Sequence, residues 1–167
     1  PKYEGKTYIE LKGANSVATV KINGRKVGTH EGGYSTFRFD ITNLLTSPKN
    51  FIEVEVDNSN HKEIYPDKAD FTFYGGIYRD VFLVVLNKHH FDMDFFGGPG
   101  IAVTPVLEGD DAKTTVEVFI TNHKEEQTVR YTLISGEGET VSVHETAAKK
   151  LNFRIKNAHR WHGRKDP

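Results

Sequence analysis

Hydrophobic residues recur at every second position along most of this chain, beginning with Thr7, Ile9 and Leu11. A period of two is typical of β-strands that bury one face, because successive side chains in a strand point to opposite sides. Helical spacing is nearly absent from the sequence. We therefore expect an all-β protein.

The clearest local signal is the dipeptide Asn23-Gly24, which lies between two strand-like runs. A tight type I′ turn needs a positive φ at both of its central residues, and Asn and Gly tolerate this conformation best. Residues 17–29 are therefore predicted to form a β-hairpin.

Two later runs differ in how they alternate. Phe37 and Ile41 are expected on one face of a strand and Arg38 on the other. The run Val81–Leu86 is apolar at nearly every position and does not alternate. Such a run suits a strand that is covered on both faces, so we expect this one to be buried.

The regular spacing lapses between residues 87 and 100, and we place a domain boundary near residue 88. The predicted domains are residues 1–88 and 89–167. Short strand patterns separated by turn residues continue in the second domain, as expected of an immunoglobulin-like sandwich without a disulfide. Residues 145–150 favour a helix but are too few to form a stable one, and they are predicted to form a loop or a single turn.

Composition excludes several classes of protein. Of the 167 residues, 37% are hydrophobic and 27% are charged, with a formal net charge of −1, so a nucleic-acid partner is not expected. No apolar run approaches the roughly 20 residues that cross a bilayer, and no membrane partner is expected either. The absence of Cys does not identify a compartment, and the bacterial periplasm and the cytoplasm both stay open.

Several motifs together carry a resemblance to a known family, and they occur in that family's order. Residues 20–28 and 30–45 resemble a hairpin and its following strand, and residues 50–58 resemble the next strand. The most specific motif is Asp70-Phe-Thr-Phe-Tyr-Gly-Gly-Ile-Tyr-Arg-Asp-Val81. The family is glycoside hydrolase family two, of the β-galactosidase type.

The resemblance implies a galactose-binding-like jelly-roll sandwich in residues 1–88, without its first strands, followed by an immunoglobulin-like β-sandwich. The catalytic barrel of the family would follow Pro167. We therefore expect no catalytic residue in this chain, which would be an inactive part of a retaining β-glycosidase. A β-galactosidase is the first expectation, since the motifs resemble that type. β-Glucuronidases and β-mannosidases share the architecture, and a free carbohydrate-binding module is the alternative from a different class.

Asp70 is the position to which the resemblance assigns a role in the parent enzyme. In β-galactosidases of this family, the matching aspartate reaches the active site of the barrel, hydrogen-bonds a sugar hydroxyl and helps to bind sodium. A carboxylate suits both tasks, because it accepts hydrogen bonds and is a hard ligand. The simpler interpretation is an exposed loop aspartate. No cofactor is expected in the fragment, and sodium or magnesium is expected in the full-length enzyme.

A dense group of aromatic residues surrounds Asp70, and Tyr65 and Phe73 are the first candidates for a platform on which a sugar ring stacks. Packing in the core or against a neighbouring domain is the competing explanation. Gly75-Gly76 is predicted to supply an unusual backbone conformation. Arg79 is predicted to hold the turn through carbonyl groups.

The remaining expectations concern metals and partners. The eight His residues do not show the spacing of a zinc site. The expected partners are a β-glycoside or oligosaccharide and the catalytic barrel of the same polypeptide. The full-length enzyme is also a candidate homo-oligomer.

Overall fold

The computed structural model of the protein describes residues 4–66, 69–161 and 163–165. Within these ranges the chain forms β-strands, turns and two short 3-10 helices, and it contains no α-helix. The all-β prediction is confirmed. The chain divides into two compact units, Pro1–Lys88 and His89–Pro167, and each is described by itself.

Two three-stranded antiparallel sheets organise the first unit. One sheet has the order β5-β1-β8 and the other β4-β3-β6, while β2 and β7 form a separate pair. The elements are β1 (Lys6–Leu11), β2 (Ala14–Asn15), β3 (Val17–Ile22), β4 (Arg25–Glu31), β5 (Phe37–Asp40), a 3-10 helix (Thr42–Leu44), β6 (Ile52–Asp57), β7 (Gly76–Ile77) and β8 (Val81–Leu86).

The two three-stranded sheets share one hydrophobic core. β1 contributes Ile9 and Leu11 and β3 contributes Val20 and Ile22, and each of these side chains is at most 1% exposed. Contacts between β4 and β5 close one side of this core. On the opposite side the sheets end at β6 and β8, which are both edge strands.

The predicted hairpin is present as β3 and β4, joined at Asn23 and Gly24. The φ angles are 51° at Asn23 and 77° at Gly24, which are the positive values that the sequence motif predicts. Asn23 also accepts a bond from the Phe51 amide at 2.9 Å through its side-chain oxygen. The turn therefore ties the hairpin to the strand that follows.

The strand β8 forms where the sequence predicts it, but the expectation that it is covered on both faces is wrong for the described residues. Leu83 and Val85 are each 59% exposed. Leu83 pairs with Ile9 of β1, so it continues the core face of the sheet. Because β8 is the last strand of its sheet, these side chains lie at the open side of the core.

The second unit contains a three-stranded antiparallel sheet of order β10-β11-β15 and two two-stranded pairs, β13-β14 and β12-β9. Its elements are β9 (His90–Phe91), β10 (Ile101–Glu108), β11 (Asp111–Val118), β12 (Ile120–Thr121), β13 (Val129–Ile134), β14 (Thr140–Thr146), β15 (Lys150–Ile155) and a 3-10 helix (Gly163–Lys165).

A separate core forms in this unit around Val118, Val129, Tyr131 and Phe153. The buried Tyr131 hydroxyl donates to the Ala148 carbonyl at 2.8 Å, and burial raises the pKa of this phenol. The bond anchors the short connection between β14 and β15, where the sequence predicts a loop. In the described part of the chain, no helix has the length and apolar character needed to cross a membrane.

Candidate functional site

A cleft of about 220 Å³ opens on the surface of the first unit. Its walls come from the junction of β2 and β3, the segment between β4 and β5, the loop after β6 and the segment that precedes β7. The residues that line it are Asn15, Ser16, Tyr34, Asn58, Ser59, Asn60, His61, Ile64, Tyr65, Pro66 and Phe73.

The pairing of β2 with β7 positions Asn15 in this cleft. Asn15 lies opposite Gly76 in the ladder, and its side-chain amide donates to the Tyr74 carbonyl at 3.0 Å. A Cβ at Gly33 would overlap the Asn15 amide. Glycine is therefore required at position 33 for Asn15 to keep its place.

The Gly75-Gly76 pair shapes the opposite wall of the cleft. Gly76 has a φ of 82°, so the prediction of an unusual backbone conformation is confirmed at this residue. Gly75 is required for space, because a Cβ there would overlap the Asn58 side chain. Close packing thus fixes two asparagines on two sides of the cleft.

Asp57 organises the turn that carries Ser59 and His61. Its carboxylate accepts the Ser59 amide at 2.8 Å and lies 3.2 Å from His61 Nε2. The Ser59 amide is the main reason that the pKa of Asp57 is lowered. Ser59 Oγ lies 3.3 Å from the same His61 nitrogen. A catalytic Ser-His-Asp triad places Ser and Asp on opposite ring nitrogens, so this cluster is a structural turn.

Three aromatic side chains border the cleft. Tyr65 is 86% exposed and Tyr34 is 40% exposed, while Phe73 is half-buried. The structure thus brings Tyr65 and Phe73 together in one concave surface. Their role in stacking a sugar stays a prediction.

Asp70 is exposed and does not line this cleft. No three His, Cys, Asp or Glu side chains lie close enough to hold a metal ion in the described ranges. One carboxylate supplies two oxygens at most, fewer than a hard cation requires. In the described ranges, Asp70 therefore forms no cation site with other His, Cys, Asp or Glu side chains. Its predicted roles in binding substrate and sodium stay predictions.

Arg79 has the structural role that its motif predicts. Its guanidinium donates to the Tyr34 carbonyl at 3.0 Å and to the Lys12 carbonyl at 3.4 Å, and lies 5.1 Å from the centre of the Tyr78 ring. The Tyr78 hydroxyl donates to the Gly33 carbonyl at 2.5 Å. The motif therefore holds the segment that carries Tyr34 and Gly33 against the cleft.

Sequence reasoning missed most of the polar lining of the cleft. Asn58 ends the strand motif of residues 50–58, and Asn60 and His61 belong to the stretch after it, which the sequence marks only as polar. A dense run of amide, hydroxyl and imidazole side chains after a strand is a signal that could have singled them out. Asn15 gave no comparable signal, because its place depends on a distant strand.

The first unit is thus an all-β domain whose cleft is lined by aromatic and amide side chains, groups that are chemically able to contact a saccharide. The family described as "Glycosyl hydrolases family 2, sugar binding domain" matches residues 2–87, about half of the chain. The protein belongs to this family.

Two curated relatives illustrate the similarity. A β-glucuronidase from Bacteroides fragilis is 31% identical across 100% of this chain and 26% of its own length. A β-galactosidase from Thermoanaerobacter pseudethanolicus is 43% identical over 57% of this chain and 14% of its own length. The chain therefore spans 26% and 14% of the length of these two relatives.

Solved structures agree with the fold. The FMN-binding β-glucuronidase from Facaelibacterium prausnitzii L2-6 aligns with a TM-score of 0.84 and 40% identity, over 94% of this chain and 25% of that one. A putative β-galactosidase from Bacteroides fragilis aligns with a TM-score of 0.79 and 29% identity, over 99% of this chain and 27% of that one.

Proposed function

We propose that this chain is the non-catalytic, N-terminal part of a retaining β-glycosidase of family 2. In this proposal the first unit is a galactose-binding-like jelly roll and the second an immunoglobulin-like sandwich. The match of the family to the first unit carries the proposal. Its support also includes the two separate cores and the four-fold greater length of the B. fragilis relative.

The chemistry of retaining hydrolysis explains why a further part is needed. The reaction uses two carboxyl groups about 5–5.5 Å apart, one as acid/base and one as nucleophile. In the proposal these carboxylates belong to another part of the polypeptide, and this chain contributes to holding the sugar.

The proposed substrate is a β-glucuronide, with a β-galactoside as the second candidate. The relatives that match nearly the whole chain include β-glucuronidases at 31% and 40% identity. The β-galactoside, which the sequence motifs favour, is supported by the 43% identity of a β-galactosidase over 57% of the chain.

Asp70 is the residue of this chain proposed to contact the substrate of the complete enzyme, with Tyr65 and Phe73 as stacking partners. Its exposed carboxylate is available to accept bonds from sugar hydroxyls. The ring of Phe73 lies 5.0 Å from that of Phe71, next to Asp70 in sequence.

The test is hydrolysis of chromogenic β-glucuronide, β-galactoside and β-mannoside by the full product of the gene that encodes this chain. We expect the β-glucuronide to be hydrolysed fastest. Asp70→Asn is expected to lower kcat/KM about tenfold or more, a loss of about 1.4 kcal/mol of transition-state stabilisation. Asp80→Asn is the matched control, because Asp80 is exposed in the same motif and uses its backbone carbonyl to accept the Lys12 amide.

Two results contradict the proposal: a gene product that hydrolyses none of the three substrates, or a reading frame that encodes no further domain. Either result would favour the alternative of a free carbohydrate-binding module. That alternative draws support from the cleft, whose lining residues all belong to the first unit.

A further inference from the structure

The side chain of Asn23 joins three separate parts of the first unit. Its amide nitrogen donates to the Leu44 carbonyl at 3.2 Å and to Asn50 Oδ1 at 2.9 Å. Its Oδ1 accepts the Phe51 amide at 2.9 Å. Both amide hydrogens and the amide oxygen are therefore used. These bonds connect the β3–β4 turn to the last residue of the 3-10 helix and to the residues that lead into β6.

The partners of Asn23 define the orientation of its amide. The Leu44 carbonyl can only accept a hydrogen bond and the Phe51 amide can only donate one, so the nitrogen and the oxygen of Asn23 cannot exchange places. Asn50 Nδ2 donates to the Ser47 carbonyl at 2.6 Å, which leaves Asn50 Oδ1 facing Asn23. The backbone amide of Asn23 donates to the Phe51 carbonyl at 2.8 Å and strengthens the same connection.

The residue after Asn23 gives this side chain a reactive neighbour. The Gly24 nitrogen can attack Asn23 Cγ, so that a new C–N bond forms and the bond from Cγ to Nδ2 breaks. Ammonia leaves with the proton of the Gly24 amide, and water opens the resulting succinimide ring to aspartate or iso-aspartate. Each event consumes one water and releases one ammonia. Gly24 does not shield its nitrogen, because a Cβ there would meet nothing within 4 Å.

The folded turn opposes this reaction. Asn23 and Gly24 are both exposed, so water reaches them, but ring closure must bring Asn23 Cγ onto the Gly24 nitrogen. That movement withdraws the Asn23 amide from Leu44 and Asn50. The reaction therefore proceeds mainly from the fraction of molecules in which the turn has opened.

The product cannot restore the lost connection. An ionised carboxylate at position 23 has no hydrogen to donate, and it would face the Leu44 carbonyl and Asn50 Oδ1, which are both acceptors. Iso-aspartate also lengthens the main chain within a tight turn that sets the register of β3 with β4. Deamidation therefore weakens the fold that suppresses it.

We propose that Asn23 is a self-modification site controlled by the fold. It is protected while its amide joins the turn, the 3-10 helix and β6, and it converts to aspartate or iso-aspartate when the turn opens. Because the product is less stable, molecules that have opened are permanently marked and open more often. This inference goes beyond the proposed carbohydrate function and does not depend on it.

The experiment compares the 167-residue chain in buffer and in concentrated urea at the same mildly alkaline pH. Trypsin releases the peptide 22–25 by cutting after Lys21 and Arg25, and mass spectrometry follows the loss of its side-chain amide. We expect deamidation in buffer to be at least about tenfold slower than in urea, since the bonds of Asn23 must break first. Asn50→Ala should accelerate it in buffer about twofold to tenfold, the range for one hydrogen bond, and leave the rate in urea unchanged.

Asn43→Ala is the matched control, because Asn43 is an exposed residue of the 3-10 helix and is not among the described bonding partners of Asn23. Asn23→Asp reproduces one product and should raise the unfolded fraction of the first unit in urea about tenfold.

The proposal is overturned if the chain deamidates equally fast in buffer and in urea. It is also overturned if Asn50→Ala deamidates at the rate of Asn43→Ala, or if Asn23→Asp unfolds at the same urea concentration as the wild type. Urea unfolding shows whether each variant is folded, and the comparison of buffer with urea needs no variant.

Discussion

Replacing Arg38 with Met tests the account of how β1 and β5 are held together on the side away from the core. Arg38 faces Glu10 across the ladder, with Nε 2.8 Å and a terminal guanidinium nitrogen 2.6 Å from the Glu10 carboxylate. Lys12 approaches the other carboxylate oxygen at 2.6 Å. The side chains of Arg38 and Glu10 are only 8% and 7% exposed.

The size of the expected effect follows from this burial. Removing one partner of a buried ion pair costs about 3–5 kcal/mol, because the other charge is left without compensation. We expect about 3 kcal/mol for Arg38→Met, at the lower end, since Lys12 still bonds Glu10. A reduction of that size accelerates the exchange of globally protected amides about a hundredfold.

Hydrogen exchange followed by mass spectrometry suits this measurement, because peptides from β1 and β5 report on the first unit alone. Lys21→Met is the matched control. Lys21 lies 3.0 Å from Glu53 and 3.2 Å from Glu55, but these groups are well exposed. Its loss is expected to change amide exchange far less than Arg38→Met does, because solvent screens exposed ion pairs.

The reasoning is refuted if Arg38→Met and Lys21→Met accelerate amide exchange in β1 to the same extent. A double variant, Glu10→Met with Arg38→Met, should recover most of the stability, because apolar replacement of both partners leaves no uncompensated charge. If the double variant is less stable than Arg38→Met, burial of the free carboxylate is not the source of the loss.

Three further outcomes are expected. Gly33→Ala should destabilise the first unit by about 1–3 kcal/mol, because the new Cβ overlaps Asn15. Gly24→Ala should cost about 1 kcal/mol, because Gly24 has a φ of 77° but open space around its Cα. Urea unfolding measures both changes. Val85→Lys should leave stability within about 0.5 kcal/mol, since Val85 is 59% exposed, and should reduce concentration-dependent association in sedimentation velocity. Burial raises the pKa of Glu10, but bonds from its two cationic partners outweigh this effect and lower the pKa below 4.5. The stability that ionised Glu10 contributes is therefore present above pH 4.5 and is lost as the pH falls through the folded-state pKa. Glu10→Gln and the wild type should therefore converge in stability in acid unfolding.

Local patterns predicted the strands well because each depends on a few neighbouring residues. The Asn23-Gly24 turn is set by backbone conformations that few residues adopt, and the structure has the predicted positive φ angles. The alternation that puts Phe37 in the core and Arg38 on the other face is a direct result of strand geometry. These features required no knowledge of distant parts of the chain.

The exposure of β8 could not be predicted in the same way. Its run of apolar residues indicates a strand, but the cover on its faces depends on which strands lie beside and above it. In the structure β8 is the edge of its sheet, and Leu83 stands at the open side of the core.

The candidate site shows the same division. The sequence alone determined an all-β chain, a hairpin at Asn23-Gly24 and an aromatic-rich loop containing Tyr65, Phe73 and Asp70. Only the tertiary structure decided that Tyr65 and Phe73 share a cleft with Asn15 and that Asp70 does not line it. Strand identity follows from local periodicity, whereas a cleft is made by segments far apart in sequence, and their meeting is set by strand order, register and the small volume of glycine.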